Sequence, residues 1–313
     1  MKTQILSAAF AALLCVGCAP VQAAQAPAPV EATVSETPTA TPTQPAGAPA
    51  LWRVADEDTT VWLFGTIHVL PTGFTWRNPV IDAAIAESDS LVLETVTSDD
   101  PSQAALLLMQ LGMSPELPPI GERVDEELLP QLAAMIARGP FPESFLNALE
   151  TWAASLMLVG VTLNDLGLDP ESGVEEQLEL IFELAERPVE GLETPAQQLG
   201  FFDALPEEAQ RYFLNSVIDT PEDIREEFDA MLEAWRSGDE EQIAMTFDDE
   251  LLFSDTLRET LLTRRNATWA SWIVERLEEP GTVFVAVGAG HLAGEDTVQD
   301  FLENQGIVSE RVQ

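Results

Sequence analysis

Four short apolar runs, Val61 to Gly65, Ser90 to Glu94, Pro188 to Leu192 and Thr282 to Val287, are each followed by a turn or a helical pattern. Strands separated by helices pair in parallel, through right-handed crossovers. Pro79 to Glu87 supplies the first such helix, with Val80, Ala84 and Ile85 at helical spacing, and Asp296 to Asn304 closes the last unit. Two features break the parallel pattern. Leu51 to Val54 and Val61 to Gly65, joined by an Asp-Glu-Asp turn, predict a β-hairpin, and Val308 to Val312 predicts an edge strand. From Pro101 to Arg187 helical patterns alternate with breakers at Gly112 to Pro119, Gly139-Pro140 and Gly160 to Pro170, with no strand signal. Asp249 to Glu278 reads as one long amphipathic stretch, and its Trp269 and Trp272, like Trp235 before it, read as core. The fold class is therefore α/β: a mixed, mostly parallel sheet with flanking helices and a central helical insertion over about residues 101–187.

A chain of 313 residues with 46% hydrophobic content can bury a sizeable core. Its 54 acidic against 14 basic residues give a net charge of −40, and Lys2 is the only lysine. Such a surface repels phosphate backbones and anionic lipid head groups while it attracts cations, so no nucleic-acid partner is expected.

Lys2 and the apolar run from Ile5 to Val16 have the form of an export signal over residues 1–18. Two processing readings stand side by side. Leu14-Cys15-Val16-Gly17-Cys18 resembles a lipobox, with Cys18 carrying a lipid anchor to the membrane, whereas Val21-Gln22-Ala23 and Ala24-Gln25-Ala26 suit ordinary signal cleavage. Either makes the protein periplasmic or lipid-anchored to the envelope. Residues 19–50, rich in Ala, Pro and Thr, read as a disordered linker, which leaves a domain at 51–313. Cys15 and Cys18 are the only cysteines, so a metal site in that domain must use His and carboxylate.

The chain has two histidines, and each follows an apolar strand in a Gly-x-x-His setting: Gly65-Thr66-Ile67-His68 and Gly288-Ala289-Gly290-His291. In parallel α/β sheets, sites form beyond the carboxyl ends of strands, so both imidazoles can converge on one crevice. Glu94 and Glu193 end two further strands. Two His and one or two Glu would hold a divalent ion and leave a position for water. Glu94 serves as ligand or general base; Glu193 is a further ligand or the cap of the helix beginning at Thr194-Pro195. Arg265 or Asn266, on the amphipathic stretch, would steady a developing oxyanion. HExxH, GxSxG and GxxxxGK[ST] are all absent from the sequence.

These pieces, with Leu51-Trp52-Arg53-Val54, Phe64-Gly65-Thr66-Ile67-His68-Val69-Leu70-Pro71, Leu91-Val92-Leu93-Glu94, Gly191-Leu192-Glu193-Thr194 with Gln198, Arg265-Asn266, and Val287-Gly288-Ala289-Gly290-His291-Leu292-Ala293-Gly294, occur in the order found in the TraB/GumN family, which they resemble across Leu51 to Val312. The resemblance, which extends to the Tiki metalloproteases, implies a fold similar to the erythromycin esterase and ChaN-like superfamily. It implies that His68, Glu94 and His291 match metal and catalytic positions, and that a divalent ion (manganese, cobalt or zinc) supports cleavage of a peptide or protein substrate. The same resemblance leaves a second reading, a non-catalytic envelope protein that binds haem or a metal complex in that crevice.

Overall fold

Four of the six strands are apolar enough to need cover, and the order all six adopt decides where the chemistry sits. They are β1 (Leu51–Ala55), β2 (Thr59–Thr66), β3 (Ser90–Thr95), β4 (Val189–Glu193), β5 (Gly281–Gly288) and β6 (Glu310–Arg311), arranged β4-β3-β5-β2-β1-β6. β2, β5, β3 and β4 run parallel, β1 forms the expected hairpin with β2, and β6 adds to the β1 edge antiparallel. The computed structural model describes residues 47–96, 101–114, 116–168, 172–219, 224–251 and 255–313. The export signal, both cysteines and the linker up to residue 46 lie outside the described residues. Residues 47–50, assigned by composition to the linker, are already fastened: the Ala48 N–H donates to the Arg236 carbonyl at 2.7 Å, and the Asn78 amide to the Gly47 carbonyl at 2.9 Å.

β5 lies between β2 and β3 and is buried from Val283 to Val287, as a central parallel strand covered on both faces must be. Its alternate residues serve different layers. Val283, Val285 and Val287 join Val61 and Leu63 of β2 in one apolar cluster, while Phe284 and Ala286 join Phe64 in the other. Side chains alternate across a strand, so one sheet nucleates two layers of helices.

Helix α1 (Pro79–Glu87) crosses from β2 to β3, with the Asn78 side chain accepting from the N–H groups of Val80 and Ile81. The insertion between β3 and β4 contains α2 (Pro101–Leu111), α3 (Leu129–Arg138), α4 (Glu143–Leu146), α5 (Thr151–Asp165) and α6 (Val174–Leu184), and its described residues form no strand beyond a single bridge between Met113 and Leu149. After β4 come α7 (Pro195–Asp203), α8 (Glu207–Ile218), α9 (Ile224–Ser237), α10 (Glu240–Leu251), α11 (Asp255–Arg258), α12 (Arg264–Arg276) and, beyond β5, α13 (Val298–Asn304). Among the described residues no helix is long and apolar enough to cross a membrane.

The long amphipathic stretch from Asp249 to Glu278 is divided among several helical segments. A π-helical turn at Glu259–Thr263 separates α11 from α12. The wider turn shifts the register of everything after it, and α12 enters with Arg265 and Asn266 buried. α12 and α13 cover one sheet face through Trp269, Ile273, Val298 and Leu302, and the insertion with α7 to α9 covers the other.

Candidate functional site

β3 and β5 finish side by side, and Glu94 and Gly288 mark their carboxyl ends. The Gly288 N–H donates to Oε1 of Glu94 at 2.7 Å, so the end of β5 fixes the carboxylate of β3. β5 then turns through a short 3-10 segment, Ala289–His291, which delivers the second imidazole. Gly65 favours this turn from the β2 side: a Cβ there would lie 3.1 Å from Cα and 3.3 Å from Cβ of Ala289, so glycine lets the turn settle against the strand without displacing it.

His291 is buried, with its ring centroid 4.4 Å from that of Trp269 and its Nε2 3.6 Å from Oε1 of Glu94. Nδ1 lies 2.6 Å from Oδ1 of Asn266, whose amide nitrogen donates to the Asp296 carbonyl at 2.7 Å. That second bond fixes which way the Asn266 amide faces. Oδ1 can only accept, so His291 carries its proton on Nδ1 and presents a lone pair at Nε2. Burial, then Arg265, then His68 push the His291 pKa well below its ordinary value, so the ring is neutral at neutral pH.

Arg265 occupies the middle of the site. Its Nε and Nη2 each donate to Glu193 at 2.9 Å, Nη2 also to Oε2 of Glu94 at 2.6 Å, and Nη1 to the Leu261 carbonyl at 3.1 Å, while Nη1 stands 3.3 Å from Nε2 of His291. The guanidinium lies 4.6 Å from the Trp269 ring centroid, and Trp269 donates its indole N–H to Glu193 at 3.0 Å. One buried cation between two buried carboxylates leaves the pair formally one negative charge in excess. Burial pushes the Glu94 carboxyl above its ordinary value against the pull of Arg265 and His68, and Glu193 adds to the push. Gln198 of α7 completes the surroundings of Glu94, 3.3 Å from Oε2.

Residues 50–311 match the TraB/PrgY/gumN family. The chain belongs to that family. It is 26% identical over 247 residues to the uncharacterized protein YbaP of Escherichia coli (strain K12), covering 77% of this chain and 86% of YbaP, and the YbaP of Shigella flexneri matches to the same extent. No solved structure matches it.

In this TraB/PrgY/gumN-family chain the residues singled out from sequence divide into roles. Glu94, Glu193, Arg265, Asn266 and His291 form one buried network. His68 stands at its margin, near enough for its charge to bear on both Glu94 and His291, with 12% of its side chain exposed against 1% for His291. His68 is thus the imidazole nearer the solvent. Glu193 does not cap the following helix; Thr194 does so in a capping box with Gln197, leaving both Glu193 oxygens to Arg265. Arg264, adjacent to Arg265, is at the surface and pairs with Glu259.

One residue of the site carries no mark in the sequence. Glu175, in the first turn of α6, brings Oε1 to 2.7 Å from Nδ1 of His68. Burial opposes its charge, but the His68 ring, the Thr66 hydroxyl and a backbone N–H together outweigh burial and hold the carboxyl below its ordinary value. In a chain this acidic, one glutamate among many at helix starts gives no signal. As the side chains stand, no group of three or more His, Cys, Asp and Glu among the described residues is placed to hold a metal ion. The hydroxyl of Thr95, at the end of β3, is buried with no hydrogen-bond partner among the described residues, and that of Thr66, at the end of β2, is buried beside the Glu175 carboxyl.

Proposed function

We propose that this chain is a divalent-metal-dependent hydrolase of the cell envelope that cleaves a peptide or protein substrate. The observation that carries the reading is a buried, neutral His291 held in one tautomer beside Glu94 and Arg265 at the carboxyl edge of the sheet. Groups with perturbed pKa values collected at such an edge are what reaction centres require. The envelope location rests on the export-type segment at residues 1–18.

The donor set suits such an ion in kind. His291 is tied at Nδ1 to an oxygen acceptor and His68 has one at hydrogen-bonding distance, the way ligating imidazoles are oriented, and Glu94 supplies a carboxylate beside them. We assign His68, Glu94 and His291 as the ligands. Glu193, with both oxygens given to Arg265, holds the guanidinium in place. The buried hydroxyls of Thr66 and Thr95 provide further polar groups at the same strand ends. A divalent ion bound there supplies a Lewis acid and lowers the pKa of a water molecule.

The protein's own groups do the rest. Arg265, with its N–H groups given to Glu193, Glu94 and the Leu261 carbonyl, anchors both carboxylates at the strand ends. Asn266 spends its oxygen on His291 and its nitrogen on Asp296, which makes it a positioning residue instead of an oxyanion donor. Glu94, whose oxygens accept from the Gly288 N–H and the Arg265 guanidinium, is held in one orientation at the end of β3 to serve as a carboxylate ligand.

The test is to purify the exported chain, His68→Ala and His291→Ala, measure bound metal by mass spectrometry, and screen a peptide library with manganese, cobalt and zinc. The parent should bind metal and cleave, and both variants should lose metal. Metal content unchanged in both variants overturns the ligand assignment, and cleavage indifferent to chelator overturns metal dependence. Tight haem binding without turnover would replace this reading with the non-catalytic one.

A further inference from the structure

Each imidazole is met at Nδ1 by an oxygen from a distant part of the chain. For His291 that oxygen belongs to Asn266 on α12; for His68 it belongs to Glu175 on α6, inside the helical insertion. The approach of α6 is set by more than this one contact. The Val174 N–H donates to the Ile67 carbonyl at 3.1 Å, so the residue before Glu175 is clamped to the residue before His68. Farther along, the Trp76 indole donates to Oε1 of Gln177 at 3.0 Å, and Nε2 of Gln177 donates to the Ser172 carbonyl at 2.9 Å. The segment after β2 and the first turn of α6 are thereby laced together on both sides of the pair. Glu175 and His68 are 14% and 12% exposed at their side chains, so water competes little for the contact. An acid in the first turn of a helix is also favoured by the helix dipole.

We propose that Glu175 is a positioning residue that locks His68 in the Nδ1–H tautomer and so turns its Nε2 lone pair to the reaction centre. The 2.7 Å between Nδ1 and Oε1 is the separation of a hydrogen bond, and since a carboxylate only accepts, the proton of that bond is the one on Nδ1. The insertion then contributes a functional group, and the centre is complete only when α6 is docked on the end of β2. This role rests on the hydrolase reading only where turnover is concerned, because the tautomer itself can be observed in a chain without activity.

The chain has only two histidines, which makes the observation direct. Uniform 15N-histidine labelling of the purified chain without added metal should give two ring systems by long-range 1H–15N correlation, assigned with His291→Ala. In the parent at neutral pH, His68 should show the Nδ1–H tautomer. In Glu175→Ala it should shift to a mixture or to Nε2–H, with His291 unchanged as the control for the fold. Glu175→Gln keeps an acceptor, so it should retain Nδ1–H with the ring proton moved upfield as a charge-assisted bond becomes a neutral one. This variant also serves if Glu175→Ala does not fold. Turnover should fall about 10–100-fold in Glu175→Ala with KM nearly constant, and recover in part in Glu175→Gln. An Nε2–H or doubly protonated His68 in the parent overturns the proposal, as does a His68 spectrum indifferent to both substitutions. The expected spectra in a chain that cleaves nothing would count against the hydrolase reading and leave Glu175 in its role.

Discussion

Nδ1 of His291 lies 2.6 Å from Oδ1 of Asn266, and the nitrogen of that amide is bound to the Asp296 carbonyl. Asp296 has φ +56, a left-handed conformation that turns its carbonyl back toward α12. The loop after β5 thus decides the orientation of an amide, which decides the tautomer of a histidine. Asn266→Ala should leave a buried Nδ1–H without an acceptor at a cost of about 1–3 kcal/mol. Turnover should drop about 10–100-fold. Urea unfolding and steady-state kinetics on one preparation check both.

His291 also sets a pH dependence. Unfolded, the ring takes up a proton near its ordinary value of 6.5, whereas the folded ring stays neutral until well below it. Between those two values the unfolded chain binds the extra proton, so stability falls as pH drops through about 6.5, by at most about 1.4 kcal/mol per pH unit, and flattens below the folded pKa. In His291→Gln this contribution disappears. Urea midpoints for both chains from neutral to mildly acidic pH should converge as pH falls; parallel curves would remove His291 as the cause.

Arg265 is the only cation bonded to Glu94 and Glu193 among the described contacts, and all three are buried. Arg265→Met should destabilise by about 3–5 kcal/mol at neutral pH, because two carboxylates remain without a counter-charge. Without the pull of Arg265 the Glu94 carboxyl is pushed up further, so the variant takes up a proton on mild acidification, and the gap to the parent should narrow as pH is lowered toward the carboxylate range. Thermal unfolding across pH measures the narrowing.

Gly65→Ala places a methyl group against Ala289 of the turn that carries His291. Strand and turn backbones cannot yield as a flexible side chain would, so a loss of about 1–3 kcal/mol is expected, with turnover reduced because the turn is displaced. Differential scanning calorimetry and activity together test this; an unchanged melting temperature with full activity would show that the turn has slack.

Much of the architecture was legible in the pattern of residues. The hairpin of β1 and β2, the parallel strands ending at Glu94, Glu193 and Gly288, and the helical nature of residues 101–187 follow from apolar spacing and breakers, which act locally. The paired Gly-x-x-His segments marked both imidazoles for the same reason, since a glycine after an apolar strand announces a sharp turn at a sheet edge. The division of the stretch before β5 by a π-helical turn was not legible, because an amphipathic pattern survives one extra residue per turn and only packing chooses between the two registers.

By itself the sequence determined the kind of body this chain builds: strands and helices of given length, which side of each is apolar, and which reactive side chains stand at strand ends. Tertiary structure alone decided their partners. Strand order placed β5 between β2 and β3 and so brought His291 to Glu94; the docking of α12 gave Arg265 to two carboxylates and Asn266 to His291; the docking of α6 chose Glu175 from an abundance of acids to meet His68. Periodicity records the contact of a residue with its own element, whereas these pairs join segments far apart along the chain, and proximity of that kind arises only when the layers pack.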